Sequence, residues 1–168
     1  MILYPKAYFD KITDITIDFL KENKINGLIL DVDNTLIDFD RVMLFGLKEW
    51  TNEMKKNSIK LYILSNSNKK DKVSKVANDL ELEYTCFARK PLKSGFKKAI
   101  QILNLDPKNI GVVGDQILTD VLGANRCKMF SILVKPINER DIWITRIKRP
   151  FENILIKKYL KDKKKNKI

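Results

Sequence analysis

Residues 28–40 read LILDVDNTLIDFD: an apolar run, Leu28-Ile29-Leu30, breaks off into Asp31, Asp33, Asp38 and Asp40. The run has the character of a buried strand, and aspartate is a residue that ends strands. Crowded carboxylates repel one another, so folding alone gives no reason to gather four of them directly behind a strand. A bound cation, or chemistry done on a substrate, does give one.

Outward from this stretch the same arrangement recurs. Apolar runs at Gly27–Leu30, Ile59–Leu64, Tyr84–Phe87, Ile110–Val113 and Met129–Val134 predict five strands. Helical patterns at Leu44–Lys56, Asp71–Leu80, Ser94–Leu103 and Thr119–Arg126 separate them, with Asp71 and Ser94 suited to capping helix starts. Such alternation predicts a doubly wound, Rossmann-like α/β domain on a parallel sheet. Ahead of it, Lys6–Asn23 carries Tyr8, Ile12, Ile15 and Phe19 at helical spacing, which predicts an amphipathic segment docked on the core. Behind it, Ile142–Ile156 mixes apolar residues with Arg146, Lys148 and Arg149, and Pro150 is expected to break any single helix there. The expected organisation is one domain over residues 1–160 and a disordered basic tail over 161–168.

The totals narrow the classes. A chain of 168 residues with 44% hydrophobic content is long enough to bury one core. No stretch approaches the roughly 20 consecutive apolar residues of a membrane span, and the start, MILYPKAYFDKITD, lacks the apolar run of a signal peptide, so a cytoplasmic protein is expected. Cys86 and Cys127 have no metal or redox spacing and are expected to be reduced, buried packing residues. The net charge is +12, and most of that excess falls after residue 139. A basic end attracts polyanions such as nucleic acid or anionic lipid, or it is simply a solvated tail. No RNA-recognition motif or aromatic base-stacking platform accompanies the lysines, which leaves nucleic acid the weaker reading.

In open parallel sheets the ligand crevice lies beyond the carboxyl ends of the strands. There the chain places Asp31-Val32-Asp33-Asn34-Thr35, then Ser65-Asn66-Ser67, then Lys90-Pro91, then Gly114-Asp115-Gln116 with Asp120 downstream. Carboxylates at Asp31 and Asp115 suit the hard oxygen shell that Mg²⁺ prefers. Ser65 offers a neutral donor to phosphoryl oxygens and Lys90 a compact positive charge. A carboxylate nucleophile divides ester hydrolysis into two easier steps, and a second carboxyl nearby can move the protons. A calcium loop of the EF-hand type is excluded, because the sixth position is Leu36 rather than glycine and the twelfth is Val42 rather than glutamate.

DVDNT, SNS, KP and GDQILTD, in this order and each at a strand end, resemble the four motifs of the haloacid dehalogenase superfamily of phosphatases. The resemblance implies Asp31 as nucleophile and metal ligand, and Asp33 as general acid and base whose backbone carbonyl also reaches the metal. It further implies Thr35 steadying the loop, Ser65 and Asn66 binding the phosphoryl group, and Lys90 holding nucleophile and phosphate together. Asp115 would ligate Mg²⁺ directly, and Asp120 would assist through water or neighbouring groups. Asp38 and Asp40 match no position of the pattern. The intervals between motifs leave no room for a cap domain, so an open site is expected, able to admit a phosphate carried on something large. The longer phrases DVDNTLI, SNSNKK, ARKPLKSGFKKAI and GDQILTDVLGANR resemble the uncapped subfamily IIIA branch of YqeG-like and phosphatidylglycerophosphate phosphatases. That resemblance implies a phosphate-bearing substrate, among them an anionic phospholipid met peripherally at the inner face of a membrane. Residues 140–151 then have two readings, as a docking surface or as closure of the core.

Overall fold

Strand β2, Gly27–Leu30, is buried along its whole length, as a central strand covered on both faces must be. It lies inside a six-stranded sheet with β1 (Ala7–Phe9), β3 (Lys60–Leu64), β4 (Glu83–Thr85), β5 (Ile110–Gly114) and β6 (Phe130–Val134). The computed structural model describes residues 2–138 and 143–165, the latter without the side chains of 143–149, 151, 164 and 165. Strand order is β1-β6-β5-β2-β3-β4 and every pairing is parallel. The chain adds β3 and β4 on one side of β2, then crosses back to build β5 and β6 on the other. The reversal between β2 and β5 is where such sheets open a ligand crevice.

The period of two along each strand sorts the core into two layers. Leu28, Leu30, Ile63, Val113 and Ile132 pack with Leu20 of α1 (Ile17–Glu22), Trp50 and Met54 of α2 (Leu47–Lys56), and Val73 and Ala77 of α3 (Lys70–Leu80). Ile29, Tyr62, Leu64 and Val112 point the other way, against Phe96 and Ala99 of α4 (Lys93–Leu103) and Ala124 of α5 (Leu122–Arg126). Leu155 of α6 (Trp143–Lys165) joins Ile117, Val121 and Leu133 in a third cluster. No cap domain interrupts this plan. Between β2 and β3 the chain makes a small hairpin, bridged at Ile37 and Met43, and then α2; between β3 and β4 it makes α3. Among the described residues no helix is long and apolar enough to cross a membrane.

Several expectations are corrected. Lys6–Asn23 is not one amphipathic helix: it forms the edge strand β1, a 3-10 turn at Ile12–Asp14 and the short α1. Tyr8 belongs to that strand because β1 pairs with β6, more than a hundred residues away, a contact that local spacing cannot reveal. Docking on the core does hold for this segment, since Ile12 and Ile15 are buried and the Trp50 indole N–H donates to the Ile15 carbonyl at 2.8 Å. Asp71 and Ser94 cap nothing; α3 and α4 start one residue earlier than each of them, and Asp71 instead pairs with Arg41 at 3.3 Å. Strand β4 ends at Thr85, because the chain turns through left-handed backbone at Phe87 and Arg89 on its way to Lys90.

Helix α6 runs through Pro150 to Lys165. Burial of Glu152, Leu155 and Tyr159 against the domain offsets the backbone hydrogen bond that proline forfeits. The helix carries five of the eight residues expected as a tail, and there Asp162 accepts a 3.0 Å hydrogen bond from the Tyr4 hydroxyl. Side chains of the 140–151 docking reading lie outside the described residues. Cys86 and Cys127 are free, as expected, but half-buried at the margins of the two core clusters.

Candidate active site

Four strand ends deliver the expected residues to one place. After β2 the Asp31 N–H still donates to the Val113 carbonyl of β5, at 2.9 Å, which keeps Asp31 in line with the sheet. The chain then coils tightly: the amides of Leu36 and Ile37 both return to the Val32 carbonyl. Asn34 sits at φ +60°, a left-handed conformation that asparagine tolerates better than most residues. Its carbonyl and side-chain oxygen accept from the amides of Ile137 and Asn138 beyond β6, so the loop is pinned across the sheet. Thr35 is buried within it, and its hydroxyl has no hydrogen-bond partner among the described residues.

Lys90 is the centre of the arrangement. Its ammonium lies 2.6 Å from Asp31 Oδ1 and 2.7 Å from Asp120 Oδ1, and all three side chains are nearly inaccessible to solvent. Asn66 fixes the lysine from behind: its side-chain oxygen accepts from the Lys90 amide at 2.7 Å and its amide donates to the Lys90 carbonyl at 3.0 Å. The Asn66 side chain is thus occupied in placing Lys90. Ser65 is fully buried, and its hydroxyl accepts from the Ser67 amide at 3.0 Å, leaving the hydroxyl proton to donate.

On the other side of β2, the chain after Gly114 makes a single π-helical turn, Ile117–Val121. Such wide turns recur at functional sites because they re-aim one side chain. Here the turn folds Asp120 back over Gly114, where a β-carbon would lie 2.2 Å from the Asp120 carboxyl carbon; only glycine fits. Asp120 Oδ2 accepts from the Gln116 amide at 3.2 Å and the Thr119 hydroxyl at 3.3 Å. The buried carboxylate of Glu152, on α6, accepts from the Leu118 amide at 3.0 Å and so holds the turn from outside.

Carboxylate oxygens of Asp31, Asp115 and Asp120 lie within 4.8 Å of one another, close enough to share a metal ion. Three hard anionic oxygens suit Mg²⁺ or a similar dication far better than a soft metal. The electrostatics agree. Burial pushes the Asp31 carboxyl up to about 7, with repulsion from Asp120 and Asp33 adding to it and Lys90 pulling the other way. A dication among these oxygens favours the ionised form and removes the repulsion. Burial by itself lowers a lysine, but Asp120 and Asp31 outweigh it and hold Lys90 above its ordinary value, firmly protonated.

Asp33 stands apart from this cluster, its side chain about 45% exposed at the mouth, in an ion pair with Lys72 of α3. The partial exposure leaves it reachable by a leaving group and by water. Lys72 and Glu152 were not expected from the sequence. The first is one lysine in the run KKDK and the second a lone acid in a basic segment, and neither has a local pattern to mark it.

The comparisons with known proteins place this geometry. Residues 43–128 match the family model described as haloacid dehalogenase-like hydrolase. A protein of Bacillus subtilis (strain 168), named probable phosphatase YqeG, is 39% identical over 153 residues, covering 90% of this chain and 88% of the relative. Among solved structures, an uncharacterised protein from Listeria monocytogenes serotype 4b superposes with a TM-score of 0.58 at 19% identity, over 70% of this chain and 85% of that one. The cobalt-bound deoxy-D-mannose-octulosonate 8-phosphate phosphatase of Haemophilus influenzae gives 0.57 at 14% identity, over 75% and 76%. At those identities the two structures speak to the fold alone. The chain belongs to the haloacid dehalogenase-like hydrolases. Within them it is an uncapped phosphatase of the YqeG-like group.

Proposed function

We propose that the protein hydrolyses phosphomonoesters with Mg²⁺ through an aspartyl phosphate on Asp31, and that its substrate is phosphatidylglycerophosphate, converted to phosphatidylglycerol. The observation that carries the mechanism is the Lys90 ammonium set between the buried Asp31 and Asp120 carboxylates, with Asp115 beside them. Asp31 attacks phosphorus and the ester P–O bond breaks, while the Asp33 carboxyl gives its proton to the departing oxygen. Asp33, now a carboxylate, takes a proton from the water whose oxygen attacks phosphorus, and the bond to Asp31 breaks to release inorganic phosphate. Lys90 balances charge on Asp31 and on the phosphoryl oxygens, and the Ser65 hydroxyl donates to one of those oxygens. Asp31, Asp115, the Asp33 carbonyl and Asp120 are the groups that would hold Mg²⁺, which when bound offsets the carboxylate charge and polarises the phosphoryl group.

The lipid substrate is supported by the resemblance of the longer motif phrases, by an uncapped site open to a bulky phosphate bearer, and by the net charge of +12. The test is phosphate release from phosphatidylglycerophosphate in mixed vesicles with Mg²⁺, beside soluble sugar and nucleotide phosphates, with Asp31→Asn as the blank. Strong preference for the lipid is the expected result. Turnover confined to the soluble esters keeps the catalytic roles and removes the lipid.

A further inference from the structure

We propose that the rim of the catalytic end is a membrane-docking surface. Phe39, Val42 and Phe45 on the loop after β2, with Phe87 and Leu92 on the loop after β4, enter the headgroup boundary of an anionic bilayer and seat the site over a lipid phosphate. The proposal rests on the lipid-phosphate reading above and moves the membrane contact from residues 140–151 to the mouth of the site itself.

Among the described residues nine large apolar side chains are exposed, and five of them are on these two loops. Phe45 is 98% exposed, Val42 60%, Phe87 59%, Phe39 55% and Leu92 51%. Single exposed apolar residues are ordinary, but a concentration around one opening marks an interaction site. The two loops leave the same edge of the parallel sheet on either side of the β3 loop and are tied to it. Arg41 pairs with Asp71 at the start of α3, and the Phe87 and Ala88 amides donate to the Ser67 and Ser65 carbonyls. The apolar groups therefore stand at the same end of the sheet as Ser65 and Lys90, on the two loops that flank the β3 end.

The projection is built rather than accidental. Asp38, which the catalytic motifs leave unused, closes the hairpin: its side chain accepts from the Val42 amide at 2.8 Å and its own amide donates to the Val42 carbonyl at 2.9 Å. That turn holds Phe39 and Val42 outward on a short rigid tip. Phe87 is kept at φ +53°, a costly conformation for an aromatic residue, and its ring is not repaid by burial. Strain retained around an exposed aromatic points to use.

The occupant has to bring the phosphate with it, because these loops flank the β3 end that carries Ser65 and border the site on that side. A second copy or a folded partner seated on this rim would cover the opening. A bilayer covers it and presents the substrate at once, and it supplies the exclusion of water that an uncapped site lacks. Charge leans the same way: Lys69, Lys70, Arg89 and Lys93 are exposed on these loops and at the adjoining helix starts, against the exposed Asp40 on the hairpin tip, while Asp71 and Arg41 neutralise each other. Apolar insertion with flanking basic charge is how peripheral proteins hold anionic membranes.

The experiment uses the full chain and vesicles free of phosphatidylglycerophosphate, so that binding is scored independently of substrate identity. Wild type and the F39S/F45S/F87S variant are co-sedimented with phosphatidylcholine vesicles with and without phosphatidylglycerol. Turnover of p-nitrophenyl phosphate in solution reports an intact site. The expected result is binding that needs the anionic lipid and drops roughly tenfold or more in the variant, with soluble turnover kept. A parallel F45W variant should show emission that shifts to the blue when anionic vesicles are added, beyond any shift of the wild-type tryptophans; that readout stands if the triple variant fails to fold. Absent wild-type binding, equal binding by the variant, or an unshifted F45W emission overturns the proposal, even where phosphatidylglycerophosphate is hydrolysed in detergent micelles. Rim-dependent binding without such hydrolysis upholds the docking surface and removes the substrate assignment instead. A concentration-dependent dimer abolished by the same substitutions, without vesicle binding, assigns the rim to a second copy and overturns it.

Discussion

The loop after β2 and the π-turn after β5 each press a buried aspartate against the same lysine, yet they treat it differently. Asp120 is fully served: Lys90 on one oxygen, the Gln116 amide and Thr119 hydroxyl on the other. Asp31 has Lys90 on one oxygen, and burial leaves its carboxyl pushed up to about 7. The charge on Asp120 is settled by its own turn, while the charge on Asp31 is completed only by what enters the site. On the proposed mechanism, a fixed neighbour and a reactive centre are made from one residue type by the number of donors around it.

The sharpest test of that contrast is Asp31→Asn. Turnover should fall by roughly four to six orders of magnitude, as for loss of other enzymic nucleophiles, while thermal unfolding shows a fold kept or stabilised by relief of crowded charge. Retained turnover would remove Asp31 as nucleophile. Chelation of divalent metal should silence the enzyme to a similar depth, and added Mg²⁺ should restore it; a metal-independent rate would sink the role given to the three carboxylates. Asp120→Asn should cost less, about 10- to 100-fold, seen as a raised Mg²⁺ requirement in a titration of activity against metal. A loss as deep as that of Asp31→Asn would break the distinction between the two loops. Lys72→Met should have the smallest effect. Lys72 is largely buried, at 12% exposure, but its partner Asp33 is about 45% exposed, so solvent screens the pair and kcat should change by less than about tenfold.

The placement of the candidate site was legible because it sits where chain direction and residue type coincide. Each motif follows an apolar run, and Asp31, Ser65, Lys90 and Asp115 all lie at or just beyond the end of a strand. What supports that site was less legible. The Asn66 side chain serves the Lys90 backbone, a role that no local pattern marks because Lys90 lies on a neighbouring loop. Glu152 lies 34 residues from the Leu118 amide it accepts from, and Lys72 lies 39 from Asp33. In the same way β1 was hidden inside a helical spacing, because among the described residues it pairs with β6 alone. Local pattern reports local structure; contacts closed over long sequence separations have no local signature.

That pairing bears on how the chain comes together during synthesis. Ala7, Tyr8 and Phe9 find their places only opposite Ile132, Leu133 and Val134, and just before them the Lys6 amide bonds the Ser131 carbonyl. At about 5–20 residues per second, the segment made first waits roughly 6 to 25 seconds on the ribosome before the strand it needs exists. For that interval it is an unpaired adhesive end, and for as long as β6 waits in turn, the β1 of a neighbouring nascent chain fits its open edge as well as its own does.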